Sequence, residues 1–331
     1  MKSPTRFPLS RYVTVVITLL FIAGCKKSGS GPAADVFPDG VNVYMAGEAN
    51  GHVAYWKNGQ LVDLGVGGEA TGITLSGTDV YVSATLSGDQ KATAAYWKNN
   101  TRYDLSEMRF ANAYGIAVIG TDVYVGGVTV GNPDTPVYWK NGIETPLSLY
   151  GYTSSVYDVV AAGSDIYMIA GGVYLLKNGG PAITGMGPAA TCNSVIVAGT
   201  DIYVAGDSVG KPFYWKNGQA VALADNPVPL QPTLPLGMAI SGPDVYVAGV
   251  MPIRNSNGSS NRAVYWKNGV LTTLDTQDAS SSAEAIAVIG KDVYVSGFIY
   301  ESGKDVPVYW KNGQMVRLGT NGTAEYMVVG S

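Results

Sequence analysis

Residues 52–84 read HVAYWKNGQLVDLGVGGEATGITLSGTDVYVSA, and the two phrases inside this stretch recur along the chain. The phrase of the DVYVSA type places a tyrosine at Tyr44, Tyr81, Tyr124, Tyr167, Tyr203, Tyr246 and Tyr294. The phrase of the AYWKNG type follows each one, with Tyr55, Tyr96, Tyr138, Tyr174, Tyr214, Tyr265 and Tyr309. All six tryptophans (Trp56, Trp97, Trp139, Trp215, Trp266, Trp310) fall in this second phrase, and Leu175 reads as their substitute in the fourth copy. Seven copies over residues 41–331 give about 42 residues each, the length of a four-stranded propeller blade.

Each copy can be read strand by strand. Gly115 to Ile119 forms strand a, Gly120-Thr121 suits a type II′ turn, and Asp122 onward forms strand b. Strand c ends in Trp-Lys, and an Asn-Gly pair such as Asn58-Gly59 or Asn217-Gly218 then makes a type I′ turn, because both residues tolerate positive φ. Strand d runs to a leucine five residues past that glycine (Leu64, Leu147, Leu223, Leu274, Leu318, with Leu105 equivalent). Pro146 and Pro181 in strand d suit an outer edge that donates fewer ladder hydrogen bonds. Strands a to c are apolar on both faces, so each sheet must be covered on both sides. The chain enters in the phase of an a–b turn and ends in the phase of strand a. The fold expected is therefore all-β: a seven-bladed β-propeller over residues 41–331, four antiparallel strands per blade, closed by pairing the C-terminal strand a with the N-terminal strands b to d.

Composition agrees and excludes several functions. The chain has 331 residues, 46% hydrophobic and only 14% charged, with 43 glycines and 22 tyrosines. Disordered, coiled-coil and nucleic-acid-binding chains carry far more charge, and a net charge of −4 leaves no basic surface for phosphate.

The N-terminus reads as an address. Lys2, Arg6 and Arg11 precede an apolar run over residues 12–23, too short for the roughly 20 residues of a transmembrane helix. Residues 1–24 are thus expected to be a signal peptide. Ile22-Ala23-Gly24-Cys25 resembles a bacterial lipobox. That resemblance implies cleavage before Cys25 and a lipid anchor of diacylglycerol and N-linked palmitate-type acyl chains, enough for stable attachment to the bilayer. Lys26 and Lys27 stand where inner-membrane retention in enteric bacteria favours Asp, so the outer membrane is the expected destination. Residues 25–40, rich in Gly, Ser, Pro and Ala, read as a flexible tether. Cys192 is the only other cysteine and reads as a small apolar core residue.

The stretch over residues 52–84 is also similar to the HAF-type extracellular repeats of bacteria, in which an aromatic, Trp-x-Asn-Gly, a short strand ending in Leu-Gly and a Gly-Ile strand follow one another. The similarity covers all seven copies. It implies a secreted propeller and transfers no catalytic residue.

Function is sought where the copies differ. The repeated lysines (Lys57, Lys98, Lys140, Lys177, Lys216, Lys267, Lys311) sit with the a–b and c–d turns on one face, and read either as a cationic ring for anionic glycans or lipid, or as soluble turn residues. The b–c and d–a connections vary on the opposite face, where Glu48, Asn50, His52, Asp134, Arg254, Arg262, Tyr300 and Glu301 are candidates. Strand a begins on that face and is expected to line a channel mouth with Tyr114, Tyr157, Asp158, Asn193, Glu284 and Glu325. Asp158, Glu284 and Glu325 could hold a cation, act as an acid/base pair, or be solvated rim residues. No cofactor motif, metal-ligand spacing or Ser/His/Asp order is present. The expected protein is a monomeric, non-catalytic lipoprotein that binds a glycan, peptide or envelope protein through the long-loop face. The alternatives are a carbohydrate-active hydrolase or lyase using channel carboxylates, and an envelope-assembly scaffold.

Overall fold

The computed structural model describes residues 37 and 40–330, apart from 88–93, 107–109, 132, 150–154, 181, 184–185, 187–189, 226–231, 256–257, 275 and 277–278. The signal peptide, Cys25, most of the tether, and Pro181 lie outside the described residues. No helix among the described residues is long and apolar enough to cross a membrane.

The described chain is all-β, with six antiparallel sheets. Five have four strands in sequence order, as in unit seven: a (Ser280–Ile289), b (Asp292–Glu301), c (Lys304–Lys311) and d (Gln314–Arg317). The sixth has seven strands because one long strand, Gln60–Ser76, serves twice. Its first residues pair with His52–Lys57 as strand d of unit one, and Gly68 to Ser76 pair with Asp79–Leu86 as strand a of unit two. At the outer end of this sheet the C-terminal strand Gly322–Gly330 pairs with Asn42–Ala49, from Asn42↔Gly330 to Ala49↔Gly322. This architecture of mostly four-stranded antiparallel sheets is consistent with a propeller.

The turns follow the chemistry read from the sequence. Gly77, Gly120, Gly163, Gly199, Gly242 and Gly290 are the positive-φ residues of the a–b turns, and in pairs such as Asn217-Gly218 both residues have positive φ. The leucine that ends strand d extends the ladder in five units: Leu105, Leu147, Leu223, Leu274 and Leu318 each donate a backbone N–H to strand c.

Among the described residues seven hydrophobic clusters hold the sheets together; six draw side chains from two consecutive units, and one joins unit one to unit seven. A tryptophan anchors six of them. Trp97 packs on Tyr44 and Tyr55, Trp139 on Tyr81 and Tyr96, and Trp266 near Tyr203. Trp56 of unit one packs with Tyr294 and Tyr309 of unit seven. All six tryptophans are buried, each worth roughly 1.5–3 kcal/mol of apolar burial or more. Indole N–H groups also reach neighbouring units, as from Trp56 Nε1 to Leu318 O at 3.2 Å and from Trp266 Nε1 to Ala224 O at 2.7 Å.

The fourth copy corrects one assignment. Met168 pairs with Leu176, as Val204 pairs with Trp215, so Leu176 and not Leu175 takes the tryptophan place. Leu175 takes the tyrosine place and packs with Trp215 of the next unit. The equal Tyr-to-Lys spacing of the other copies had concealed a one-residue offset at Tyr174.

The repeated lysines are neither a free cationic ring nor simple solvated turn residues. In units two to seven each lysine pairs with the aspartate opening strand b: Lys98–Asp79 at 2.9 Å, Lys140–Asp122, Lys177–Asp165 and Lys216–Asp201 at 2.7 Å, Lys267–Asp244 at 2.8 Å and Lys311–Asp292 at 3.8 Å. The same ammonium lies over the phrase tyrosine, as Lys216 does over Tyr203 at 5.3 Å. The turn asparagine completes the group. Asn217 accepts from Ile202 N–H at 2.9 Å and donates to Asp201 at 2.8 Å. These contacts hold Asp201 below the ordinary carboxylate range, Lys216 first and Asn217 second. In unit one Asn42 replaces the aspartate and accepts from Asn58 at 2.9 Å, leaving Lys57 over Tyr44 beside a neutral amide.

Candidate functional site

Every strand a is bulged at the same place. The register shifts between Ala70 and Gly72, Ala113 and Ile116, Val156 and Asp158, Cys192 and Ser194, Pro235 and Gly237, and Ala283 and Ala285. In the C-terminal strand it skips Glu325, opposite Ala46 and Gly47. A bulge re-aims the unpaired side chain. The residues skipped are Thr71, Tyr114 with Gly115, Tyr157, Asn193, Leu236, Glu284 and Glu325.

The glycine that ends the DVYVAG phrase is the partner of this bulge. A Cβ at Gly47, Gly127, Gly206, Gly249 or Gly297 would collide with the carbonyl of Thr323, Asn112, Thr191, Leu234 or Ser282, each just upstream of a bulge. The bulged strand presses its backbone onto strand b, and glycine is the residue that permits the approach.

The strands a of all seven units line one cavity of about 690 Å³. Its walls include all six channel-mouth residues expected from the sequence: Tyr114, Tyr157, Asp158, Asn193, Glu284 and Glu325. Five of these six occupy bulge positions. Toward the a–b turns the lining becomes apolar, with Leu75, Val118, Ile196, Met238, Ile286 and Met327.

The acidic residues divide into two groups. Glu325 lies beside Glu69 and near Glu284, and burial followed by repulsion from Glu69 and Glu284 pushes its carboxyl up to about 9. At neutral pH it is therefore a neutral acid hydrogen-bonded to Glu69. Glu69 and Glu284 are also raised, chiefly by burial. Asp158 does not join this group. Its Oδ2 accepts Val195 N–H of unit five at 2.9 Å, and Val159 N–H and the Ser194 hydroxyl add further bonds, while burial still pushes the carboxyl up to about 6. Asp158 is therefore a clasp between units four and five. Among the described residues no three His, Cys, Asp or Glu side chains are arranged to hold a metal ion.

Two more bulge residues combine a place at the cavity with a contact to the next unit. Asn193 Nδ2 donates to Pro235 O at 2.7 Å. Tyr114 receives bonds on its carbonyl from Thr71 Oγ1 at 3.5 Å and from the Ser83 hydroxyl, and its ring lies 5.5 Å from that of Tyr157. Tyr157 is 41% exposed, so an aromatic face is available at the cavity.

The remaining candidates do not line the cavity. His52 Nδ1 sits 3.1 Å from Asp63 Oδ2 on the surface of unit one. Glu48 caps its own hairpin by accepting Gly51 N–H at 2.8 Å, Asn50 supplies positive φ in that turn, and Asp134 accepts Gly131 N–H. Arg254 and Arg262 lie on one continuous hairpin of unit six, and Tyr300 on that of unit seven. The extra residues there extend the b–c ladder, so they form arms and not irregular loops. Glu301 is held by both terminal nitrogens of Arg317, at 2.7 and 3.2 Å. Cys192 is buried, with its thiol pushed up to about 12 by burial, as a core residue should be.

The sequence reading missed Glu69 and the bulge itself. The signal for the bulge was the glycine three places past the phrase tyrosine in five of the seven copies, with Ala84 and Ala170 in the other two. Glu69 had no such signal, because its partner Glu325 comes from the other end of the chain.

No family model matches the chain, and no curated protein matches it. Similar solved structures include virginiamycin B lyase from Staphylococcus aureus, 13% identical, covering 76% of this chain and 84% of that one, with a TM-score of 0.48. The extracellular domain of the hybrid two-component system BT4673 from B. thetaiotaomicron is 10% identical over 78% of this chain and 37% of that one, at 0.47. YjhT is 11% identical over 75% and 96%, at 0.45.

Proposed function

We propose that the chain is a closed seven-bladed propeller, anchored to the bacterial outer membrane through acylated Cys25, that binds a glycan at the mouth of its channel without transforming it. Closure is supported by the cavity that all seven strands a line, and by the cluster that joins Trp56 to Tyr294 and Tyr309 across the two ends of the repeat. Seven units against six sheets is reconciled by the strand Gln60–Ser76, which is strand d of one blade and strand a of the next. Membership in the HAF-type repeats belongs to the same proposal, and rests on the succession of an aromatic, Trp-Lys-Asn-Gly, a strand ending in Leu-Gly and a Gly-Ile strand, clearest in the Trp-Lys-Asn-Gly segment.

One observation carries the binding site: copies that agree almost everywhere else place Tyr114, Tyr157, Asn193, Glu284 and Glu325 at the single position where the bulge turns a side chain to the cavity. An aromatic face, an amide and a neutral carboxyl suit a polyhydroxylated ligand. The second reading, a hydrolase or lyase, draws on the protonated Glu325 beside Glu69, since a carboxyl held neutral at pH 7 is suited to donating a proton. A glycan array probed with the full protein and with Tyr157→Ala and Glu325→Gln tests both. Binding lost in Tyr157→Ala with no product released by the wild type supports the binder. Product release by the wild type that Glu325→Gln abolishes establishes the enzyme.

A further inference from the structure

The structure also fixes where the chain leaves the folded part. Strand b of unit one begins at Asn42, paired with Gly330, so the chain enters on the face that carries the a–b and c–d turns. Phe37 is held at that end: its ring lies 5.9 Å from Tyr294 and 6.0 Å from Tyr309, in a cluster with Ile289, the last residue of strand a before its turn. Between Phe37 and Cys25 are twelve residue steps, at most about 40 Å when fully extended and about 20 Å for a random chain. Strands b and c run 8–12 residues in units six and seven, so the opposite face is about 26–40 Å away along the strands.

We infer that the short-turn face rests against the bilayer that holds the lipid of Cys25, and that the channel mouth with its long hairpins points away from it. This rests on the lipid anchor proposed above. The two faces differ in the way the orientation requires. The short-turn face is built mostly from two-residue turns, with a longer turn after Lys177 in unit four, and carries seven lysines against six strand-opening aspartates. The other face is uneven, with the b–c arms of units six and seven projecting. Anionic headgroups favour the first face, where Asn42 leaves Lys57 beside a neutral amide and the lysines outnumber their aspartate partners.

The test uses full-length lipidated protein in vesicles of phosphatidylethanolamine and phosphatidylglycerol with nitroxide-bearing lipid as the quencher. Single cysteines carrying a fluorophore are placed at Thr121→Cys and Lys291→Cys on the short turns, and at Val209→Cys and Tyr300→Cys on the hairpins, all exposed positions. Buried Cys192 does not take the label. The expected result is that the two short-turn labels lose most of their fluorescence while the two hairpin labels keep theirs. Quenching of the hairpin labels instead, or equal behaviour of all four, overturns the orientation. Mass spectrometry of the N-terminal peptide and flotation of Cys25→Ala address the anchor separately. An unacylated wild type, or a Cys25→Ala variant that still floats with the vesicles, overturns the anchor, and the orientation with it.

Discussion

The two ends of each strand a teach different lessons. At the short-turn end the same four residue types, Asp, Tyr, Lys and Asn, make the same contacts in six units, and the seventh differs only by Asn42. At the bulge the backbone also repeats, with one further residue skipped in unit three, yet the side chains are Thr, Tyr, Tyr, Asn, Leu, Glu and Glu. Identical backbone with identical side chains is what a scaffold needs. Identical backbone with different side chains is how a scaffold presents a surface for recognition.

The sharpest way to break this contrast is to remove a wedge between units. Trp266→Ala deletes a fully buried indole and its bond to Ala224 O, and is expected to cost about 3–5 kcal/mol in denaturant unfolding. A loss near zero would mean that the sheets do not depend on one another.

Next comes the acidic end. Glu325 keeps its proton up to about pH 9 when folded, against an ordinary value of 4.5, so its contribution to stability is complete below about 4.5 and is lost as pH rises through 9. Glu325→Gln removes that loss. The variant should match the wild type at pH 4.5 and exceed it at pH 9 by several kcal/mol, about 1.4 for each pH unit between the two values, read from paired unfolding curves. Curves that stay parallel across this range would place Glu325 in water.

At the uniform end the effects shrink. Asn217→Ala loses two hydrogen bonds and places alanine at φ +51°, for an expected cost of about 1–2 kcal/mol in the same assay. Lys216→Ala, at an exposed ion pair, should leave the unfolding midpoint unchanged within error, because exposed pairs contribute little. A clear loss there would give the Lys–Asp groups a stabilising role.

Much of this was legible in the sequence because turn chemistry is local. An Asn-Gly pair states its φ angles without reference to the rest of the chain, and a tryptophan in nearly every copy states that every copy has a seam to fill. The six cavity-lining residues were also legible, since the first strand of each copy was expected to line a shared opening. What escaped depends on register between strands. The one-residue offset at Tyr174 hid the place of Leu176, the bulge was written only in the glycines opposite it, and the pairing of Glu69 with Glu325 joins residues that only the fold brings together. The lysines show a different limit: their aspartate partners were in view in each copy, but the sequence does not say which way a long side chain folds.

In the proposed function, divergence at the bulge, and not uniformity at the turns, carries recognition. One glycan array decides it, run with wild type, with a variant in which Tyr114, Tyr157, Asn193, Glu284 and Glu325 are all replaced by the Thr found in unit two, and with a variant in which Lys140, Lys177, Lys216 and Lys267 are replaced by Gln. The account predicts that, with all three proteins folded by circular dichroism, binding disappears in the first variant and persists in the second. Binding that survives the bulge replacements and vanishes with the lysines would contradict it.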